Sequence, residues 1–349
     1  MESLGIRSED LIDFSASINP LGPSTEALEA ASNVNLAAYP DPECHLLREA
    51  LGEALDLDPG CILPGNGSTE LIHLLARAFL GPDDHAVIFS PTFGEYVAAC
   101  RTEGVEPVAL TPSQHEMSSG TFWWDLPESV DRISELTPAV VFLCNPNNPT
   151  GVYLNEAEIR TVAEALKGVG ILVLDEAYAS FVEDGWNSTH LISLGNVVLL
   201  RSMTKDYALT GLRLGYMLAT EEITGRVRRF QYSWSVNSPV QAAGIAAIAD
   251  SEHLAKGRHT VAQGKRFLTE TAHSLGVEYT AGAANFMLLK VGCAREIRRS
   301  LLTEHRICVR DCTSFGLPEY VRLGIRTMDD NRMLARALEL VLAGSSVIA

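Results

Sequence analysis

The sequence lacks any pair of cysteines in Cys-x-x-Cys spacing, although its 349 residues include seven cysteines. Zinc ribbons, zinc fingers and dithiol redox sites need such close pairs, so we expect no structural metal site. An odd number of cysteines without a paired pattern is typical of reduced thiols in the cytoplasm. The seven are Cys44, Cys61, Cys100, Cys144, Cys293, Cys308 and Cys312.

Positive charge is scarce. The chain has 27 Lys and Arg but 44 Asp and Glu, which gives a net charge of −17. Nucleic acids and acidic membrane surfaces would repel such a chain, so neither is an expected partner. No apolar run is long enough to cross a bilayer, and the first residues lack the pattern of a secretory signal. We therefore predict a cytoplasmic protein. A small anionic substrate remains possible, since a few buried arginines can dominate a cleft.

Short apolar runs alternate with amphipathic stretches from Ala86 onwards. Runs without polar alternation are buried on both faces, which predicts a mostly parallel sheet with helices on each side. At 349 residues the chain exceeds one core, and after about Gly225 longer helical stretches and two further strands indicate a smaller α/β region. The predicted strands are Ala86–Phe89, Val108–Leu110, Val140–Leu143, Ile171–Leu174, Val197–Leu200, Phe286–Leu289 and Tyr320–Ile325.

Polar segments follow the predicted strands at their carboxyl ends, where α/β sheets build binding sites. The last of the parallel strands leads into Ser202, Thr204 and Lys205, and Arg213 lies eight positions beyond that lysine (213 − 205 = 8). Hydroxyls and a planar guanidinium hold a phosphate, and a lysine beside them can condense with an aldehyde on the same ligand. These residue types predict pyridoxal phosphate bound to Lys205.

A glycine-rich turn at residues 64–67 precedes a second candidate phosphate-binding segment. Ser68 and Thr69 follow it and open an apolar-periodic helix. The free N–H groups and positive dipole of a helix start suit a phosphate, although either residue could instead be a simple N-cap. Tyr39 likewise could be a turn aromatic or a ligand contact.

Five motifs in this order resemble the pyridoxal-phosphate aminotransferases of fold type I, over nearly the whole chain. The resemblance implies a three-layer α/β/α large domain with a mostly parallel sheet at residues 39–235. It also implies a smaller α/β C-terminal domain at 236–349, with which an N-terminal arm at 1–38 packs. The motifs are Gly65–Glu70, Asn145–Gly151, Asp175–Tyr178, Ser202–Lys205 and Gly211–Gly215.

The resemblance also implies a role for each matching residue. Lys205 corresponds to the Schiff-base lysine, Asp175 to the partner of the pyridine nitrogen, Asn148 and Tyr178 to donors to the phenolic oxygen, and Phe93 to the stacking aromatic. An aspartate beside the ring nitrogen keeps that nitrogen protonated, because its charge raises the pKa of the nitrogen. The implied phosphate ligands are Ser68, Thr69, Ser202, Thr204 and Arg213.

Further matches concern the substrate and a second subunit. Tyr39 corresponds to a tyrosine that reaches the cofactor phosphate of the neighbouring subunit, which implies a homodimer with a shared site. Arg322 corresponds to the arginine that binds the substrate α-carboxylate, and Asn19 on the arm is expected to close over the substrate.

Within the family the chain is similar to the branch that contains histidinol-phosphate aminotransferase and threonine-phosphate decarboxylase. The arm sequence 13–22, the segment 309–317 and Arg326 favour the decarboxylase. Arg326 lies four positions after Arg322, on the same face of a strand if the strand continues, and could bind a substrate phosphate; Arg310 is a further candidate, and a surface ion pair is the other interpretation of Arg326.

We therefore expect a lyase that decarboxylates L-threonine O-phosphate, as in corrinoid side-chain synthesis. The alternative is an aminotransferase that acts on histidinol phosphate or another amino acid with 2-oxoglutarate. A third interpretation is a non-catalytic regulator that binds the cofactor, but the presence of Lys205, Asp175 and Arg213 together argues against it.

Overall fold

The structure is a computed structural model that describes residues 7–344. Its helices are α1 (Thr25–Ser32), α2 (His45–Leu55), α3 (Gly67–Phe79), α4 (Glu95–Thr102), α5 (Gln114–Ser119), α6 (Leu126–Leu136), α7 (Glu156–Ala165), α8 (Glu221–Arg228), α9 (Ser238–Ala249), α10 (Ser251–Ser274), α11 (Ala294–His305) and α12 (Met328–Gly344). Its strands are β1 (Ile12–Asp13), β2 (Ile62–Asn66), β3 (Ala86–Phe89), β4 (Val108–Leu110), β5 (Val140–Cys144), β6 (Ile171–Asp175), β7 (Val197–Ser202), β8 (Leu214–Leu218), β9 (Tyr279–Thr280), β10 (Phe286–Lys290), β11 (Ile307–Cys308), β12 (Arg310–Asp311) and β13 (Tyr320–Gly324).

A seven-stranded sheet in the order β2-β8-β7-β6-β5-β3-β4 forms the centre of the molecule. Strands β4, β3, β5, β6 and β7 are parallel, whereas β8 and β2 run antiparallel at one side. Alternate residues of β5 enter two different cores: Val141 and Leu143 face α2, α6, α7 and α9, and Val140 and Phe142 face α3, α4 and α8. The prediction of a mostly parallel sheet covered on both faces is confirmed.

A second, antiparallel sheet in the order β12-β13-β10-β9 packs against α10, α11 and α12. The N-terminal segment joins this region through β1, which pairs in parallel with β11. Backbone bonds continue the attachment, because Phe14 N donates to Cys308 O and Gly324 N donates to Phe14 O. The domain limits at residues 38 and 235 stay a prediction.

Candidate active site

A cavity of about 120 Å³ lies at the carboxyl ends of β5, β6 and β7, beside the start of α3. Parallel strands direct their ends to one edge of the sheet, which brings together segments far apart in the chain. The cavity contains ten of the eleven residues predicted to hold the cofactor. Its lining consists of Ser68, Thr69, Phe93, Tyr96, Cys144, Asn148, Asp175, Ala177, Tyr178, Ser202, Thr204, Lys205 and Arg213.

One end of the cavity is suited to a phosphate. The Ser202 and Thr204 hydroxyls lie 2.6 Å apart and are buried, and Ser68 is the second residue of α3, where N–H groups are free. Arg213 brings its guanidinium over Gly67: a Cβ added at Gly67, whose φ is +74°, would lie 2.7 Å from Arg213 Nη2. Only glycine therefore permits this approach of the arginine to the start of the helix.

Asp175 is buried at the carboxyl end of β6. Burial raises the pKa of this carboxyl group, while hydrogen bonds from Tyr96 and Ala177 and the charge of Lys205 lower it. The Tyr96 hydroxyl donates to Asp175 Oδ2 at 2.7 Å, and Ala177 N donates to Oδ1 at 3.0 Å. A carboxylate held in this way can stabilise a protonated nitrogen of a bound ring.

Lys205 lies on the turn after β7, and its Nζ is 5.9 Å from the centre of the Tyr178 ring. The N-terminal arm fixes this turn from outside. Asn19 N donates to Lys205 O at 2.7 Å, and Asn19 Nδ2 donates to Asp206 O at 2.9 Å. The Asn19 side chain is thus buried against the backbone of the lysine turn, and its predicted closure over the substrate stays a prediction.

Arg322 on β13 is buried beside the cavity. Its Nη2 donates to Ser15 O at 2.8 Å and its Nη1 donates to Asn148 Oδ1, while its Nε has no hydrogen-bond partner within residues 7–344. The guanidinium lies 5.0 Å from the centre of the Phe286 ring. A buried arginine with a free N–H favours an anionic ligand.

Arg310 lies directly opposite Arg322 in the antiparallel pair β12 and β13. Directly opposed residues point to the same face of a sheet, with Cβ atoms roughly 4.5–5.5 Å apart. The Arg310 guanidinium is oriented by Ser314 Oγ at 2.8 Å and by the Phe315 ring. Two cationic side chains therefore start from neighbouring positions, and the sequence spacing alone shows no such pairing.

Arg326 occupies a different environment from the one predicted. Strand β13 ends at Gly324, so the argument that placed Arg326 on the same strand face as Arg322 is wrong. Its Nε pairs with Asp330 Oδ2 at 3.0 Å and its Nη1 donates to Asp13 O at 3.1 Å. These contacts tie the arm to α12 and leave the guanidinium already engaged.

Tyr39 is outside the cavity of its own chain. Its side chain is 81% exposed and stacks on Trp234 with 4.7 Å between ring centres. Its predicted contact with a neighbouring subunit stays a prediction.

No helix within residues 7–344 is long and apolar enough to cross a membrane, and the same residues contain no cluster of three or more His, Cys, Asp or Glu placed to hold a metal ion.

The model of the family aminotransferase class I and II matches residues 9–338. The chain therefore belongs to this family. Over 347 residues it is 34% identical to a histidinol-phosphate aminotransferase of Moorella thermoacetica, covering 97% of this chain and 87% of that protein. It is 35% identical to the histidinol-phosphate aminotransferase of Symbiobacterium thermophilum over 337 residues, or 95% and 91% of the two chains.

Solved structures agree with this assignment. The histidinol-phosphate aminotransferase of Sinorhizobium meliloti in complex with pyridoxal-5'-phosphate has a TM-score of 0.89, is 25% identical, and is matched over 96% of this chain and 91% of its own. L-threonine-O-3-phosphate decarboxylase from Porphyromonas gingivalis has a TM-score of 0.81 at 28% identity, over 95% and 100% of the two chains. The chain has the pyridoxal-phosphate-dependent transferase fold type I, and its cofactor is pyridoxal 5'-phosphate.

The prediction of a decarboxylase is wrong as the main interpretation. Relatives between 31% and 35% identical over nearly the full chain are histidinol-phosphate aminotransferases, which favours a transferase over a carboxy-lyase. These relatives also give no support to a role in corrinoid synthesis. The misleading signals were the arm sequence, the segment 309–317 and Arg326, whose guanidinium joins the arm to α12.

The lining of the cavity fits pyridoxal phosphate. Hydroxyls, a guanidinium and a helix start lie at one end, and the lining also includes the buried carboxylate of Asp175 and the amine of Lys205. Sequence reasoning missed three lining residues, Tyr96, Cys144 and Ala177, and Tyr96 is the one whose side chain reaches Asp175. A tyrosine inside an amphipathic helix reads as a core residue, and only the fold shows that its hydroxyl reaches Asp175.

Proposed function

We propose that this chain is a cytoplasmic aminotransferase that transfers the amino group of L-histidinol phosphate to 2-oxoglutarate. The observation that carries the proposal is the identity of its relatives, which are 31% to 35% identical over nearly the whole chain. The two arginines on β12 and β13 support the same substrate, because a phosphate monoester carries up to two negative charges.

Pyridoxal phosphate, when bound, withdraws electrons from the substrate α-carbon and so makes its proton acidic. The residues of this chain do the rest. Lys205 Nζ is the base that would take the proton from the α-carbon and deliver it to the aldehyde carbon of the cofactor. Asp175 would place a negative charge beside the ring nitrogen. Ser202, Thr204 and Arg213 would hold the phosphate, together with Ser68 and Thr69 at the start of α3; all six residues line the same cavity. Asn148, Tyr178 and Phe93 line the remaining walls.

Arg322 has to serve two anions in turn under this proposal. Histidinol phosphate has no α-carboxylate, whereas glutamate and 2-oxoglutarate do. A guanidinium with a free Nε–H can donate to a carboxylate oxygen, or to a phosphate oxygen that lies two bonds further from the α-carbon. We propose that Arg310 adds the second charge only for the phosphate, which lies farther from the cofactor.

The reaction is tested with purified, cofactor-loaded protein, L-histidinol phosphate and 2-oxoglutarate, with glutamate as the measured product. Histidinol without its phosphate serves as the matched substrate, and we expect a much lower kcat/KM for it. Carbon dioxide released from L-threonine O-phosphate without any keto acid would contradict the proposal. So would faster glutamate formation from an unphosphorylated amino acid than from histidinol phosphate.

We further propose a homodimer in which Tyr39 reaches the cofactor phosphate of the neighbouring subunit. The support is an exposed aromatic group on one surface: Tyr39 is 81% exposed, Tyr232 is 79% exposed and Trp234 is 48% exposed. Exposed aromatic clusters are typical of protein interfaces. Sedimentation of the purified protein gives the subunit number.

Mixing two impaired variants tests the shared site directly. In a mixed dimer of Lys205→Ala and Tyr39→Phe subunits, a shared site places both changes in one site and leaves the other intact. Activity should then rise well above that of either variant alone. Activity equal to the average of the two parents would contradict the sharing of Tyr39.

A further inference from the structure

Tyr96 lies on α4 and is fully buried next to the cofactor cavity. Its hydroxyl donates a hydrogen bond of 2.7 Å to Asp175 Oδ2. The other oxygen of the carboxylate, Oδ1, accepts a hydrogen bond from Ala177 N. Each oxygen of this buried carboxylate therefore has one donor from the protein, and Tyr96 is the only side chain among the two donors.

The ring of Tyr96 is fixed on two sides. It stacks on Phe142 of β5 with 5.1 Å between ring centres and 7° between planes. It also meets Phe93 edge to face, at 5.8 Å and 85°. Aromatic contacts of these geometries hold a ring in place and thereby hold its hydroxyl on the carboxylate. The same side chain thus contacts Asp175 and the aromatic residue predicted to stack on the cofactor.

The electrostatic surroundings keep the Tyr96 hydroxyl protonated. Burial and the nearby carboxylate raise the pKa of Tyr96 well above its ordinary value. Burial also raises the pKa of the neighbouring Cys144 thiol, so the thiol adds no charge. Tyr96 is therefore a neutral donor, and its hydrogen bond favours the ionised form of Asp175, whose own pKa burial raises.

We infer that Tyr96 is a positioning residue that keeps Asp175 ionised and aimed at the ring nitrogen of the cofactor, while it supports Phe93. The inference rests on the role proposed for Asp175. Without the hydroxyl, the buried carboxylate has one donor fewer and competes more strongly for the proton of the ring nitrogen. The cofactor is then bound less tightly, and its ring nitrogen is less fully protonated.

The test is a cycle of four proteins: wild type, Tyr96→Phe, Asp175→Asn and the double variant. Equilibrium dialysis gives the Kd for pyridoxal phosphate, and the ¹⁵N resonance of ring-labelled cofactor reports protonation of its nitrogen. We expect Tyr96→Phe to raise the Kd about tenfold, the usual effect of losing one hydrogen bond to a charged group. The resonance should move towards that of the unprotonated ring.

The double variant identifies the residue through which Tyr96 acts. In the Asp175→Asn background, Tyr96→Phe should change neither the Kd nor the resonance, because no carboxylate remains to be held. Tyr153→Phe, on a half-buried tyrosine outside the cavity, is the matched control and should behave like wild type.

The outcomes separate this inference from the proposed site. If Asp175→Asn raises the Kd but Tyr96→Phe does not, the role of Tyr96 is wrong and the site stands. If Asp175→Asn itself has no effect, the site proposal fails. If Tyr96→Phe folds poorly, the double variant should fold better, because it removes the carboxylate that has lost a donor. Equal misfolding of both variants would contradict an action of Tyr96 through Asp175.

Discussion

Replacement of Arg310 by glutamine should impair one half of the reaction and spare the other. Arg310 sits opposite Arg322 and is directed by Ser314 and Phe315. A hydrogen bond to a charged group contributes about 1.5–3 kcal/mol, and an exposed arginine takes the lower end of that range. A loss of about 1.5 kcal/mol corresponds to roughly a tenfold decrease in kcat/KM for histidinol phosphate. For glutamate and 2-oxoglutarate, whose carboxylate lies closer to the α-carbon than a phosphate does, kcat/KM should fall by less than about twofold.

The assay follows the two half-reactions separately by the absorbance of the bound cofactor, with histidinol phosphate in one and glutamate in the other. Arg332→Gln changes an exposed arginine that pairs with Asp329 and is the control. Arg322→Gln should impair both half-reactions. Equal losses with both substrates in Arg310→Gln, or no loss with histidinol phosphate, would refute the role of Arg310 as a phosphate ligand.

Three further predictions concern the cofactor and pH. Gly67→Ala should weaken cofactor binding in equilibrium dialysis, because its Cβ displaces Arg213, whereas Gly94→Ala, with no atom within 4 Å, should not. Borohydride reduction should attach the cofactor to wild type but not to Lys205→Ala, as judged by protein mass. Burial raises the pKa of Asp206 to about 6. In the unfolded chain Asp206 ionises near its ordinary pKa of about 4, so burial of this group lowers stability as pH rises from about 4 to about 6. The Tm advantage of Asp206→Asn should therefore grow between about pH 4 and about pH 6 and level off above that.

The central strands were predictable because each is a continuous apolar run. Strands β2 and β8 were not, although they complete the same sheet. Strand β2 contains Pro64 and Gly65, which indicate a turn. The proline is tolerated there because β2 is an edge strand. In β8, Gly215 must be a glycine, since a Cβ there would lie 2.4 Å from Ser68 N at the start of α3. This requirement comes from a segment distant in the chain, so the sequence around β8 shows no periodic pattern that would reveal it.

The candidate site was predictable where chemistry coincides with a strand end, as at Asp175 and Lys205. It was not predictable where a contact crosses between elements. The hydroxyl of Tyr96 and the pairing of Arg310 with Arg322 depend on helix orientation and strand register. The choice between cleaving a carboxylate and moving a proton depends on how the substrate is held, and short motifs around Arg326 were a poor guide to it.

The parallel pairing of β1 with β11 has a consequence for how the protein is made. Ile12 pairs with Ile307, so after Ile12 a ribosome adds 295 residues before the pair is complete (307 − 12 = 295). At about 5–20 residues per second this takes roughly 15 to 60 s. Throughout that time β1 has no partner strand, so the arm that carries Asn19 is not anchored against the turn of Lys205. A nascent chain that stalls before β11 therefore carries every residue that lines the cavity but lacks the strand that holds the arm over Lys205, which makes completion of the site one of the last events of synthesis.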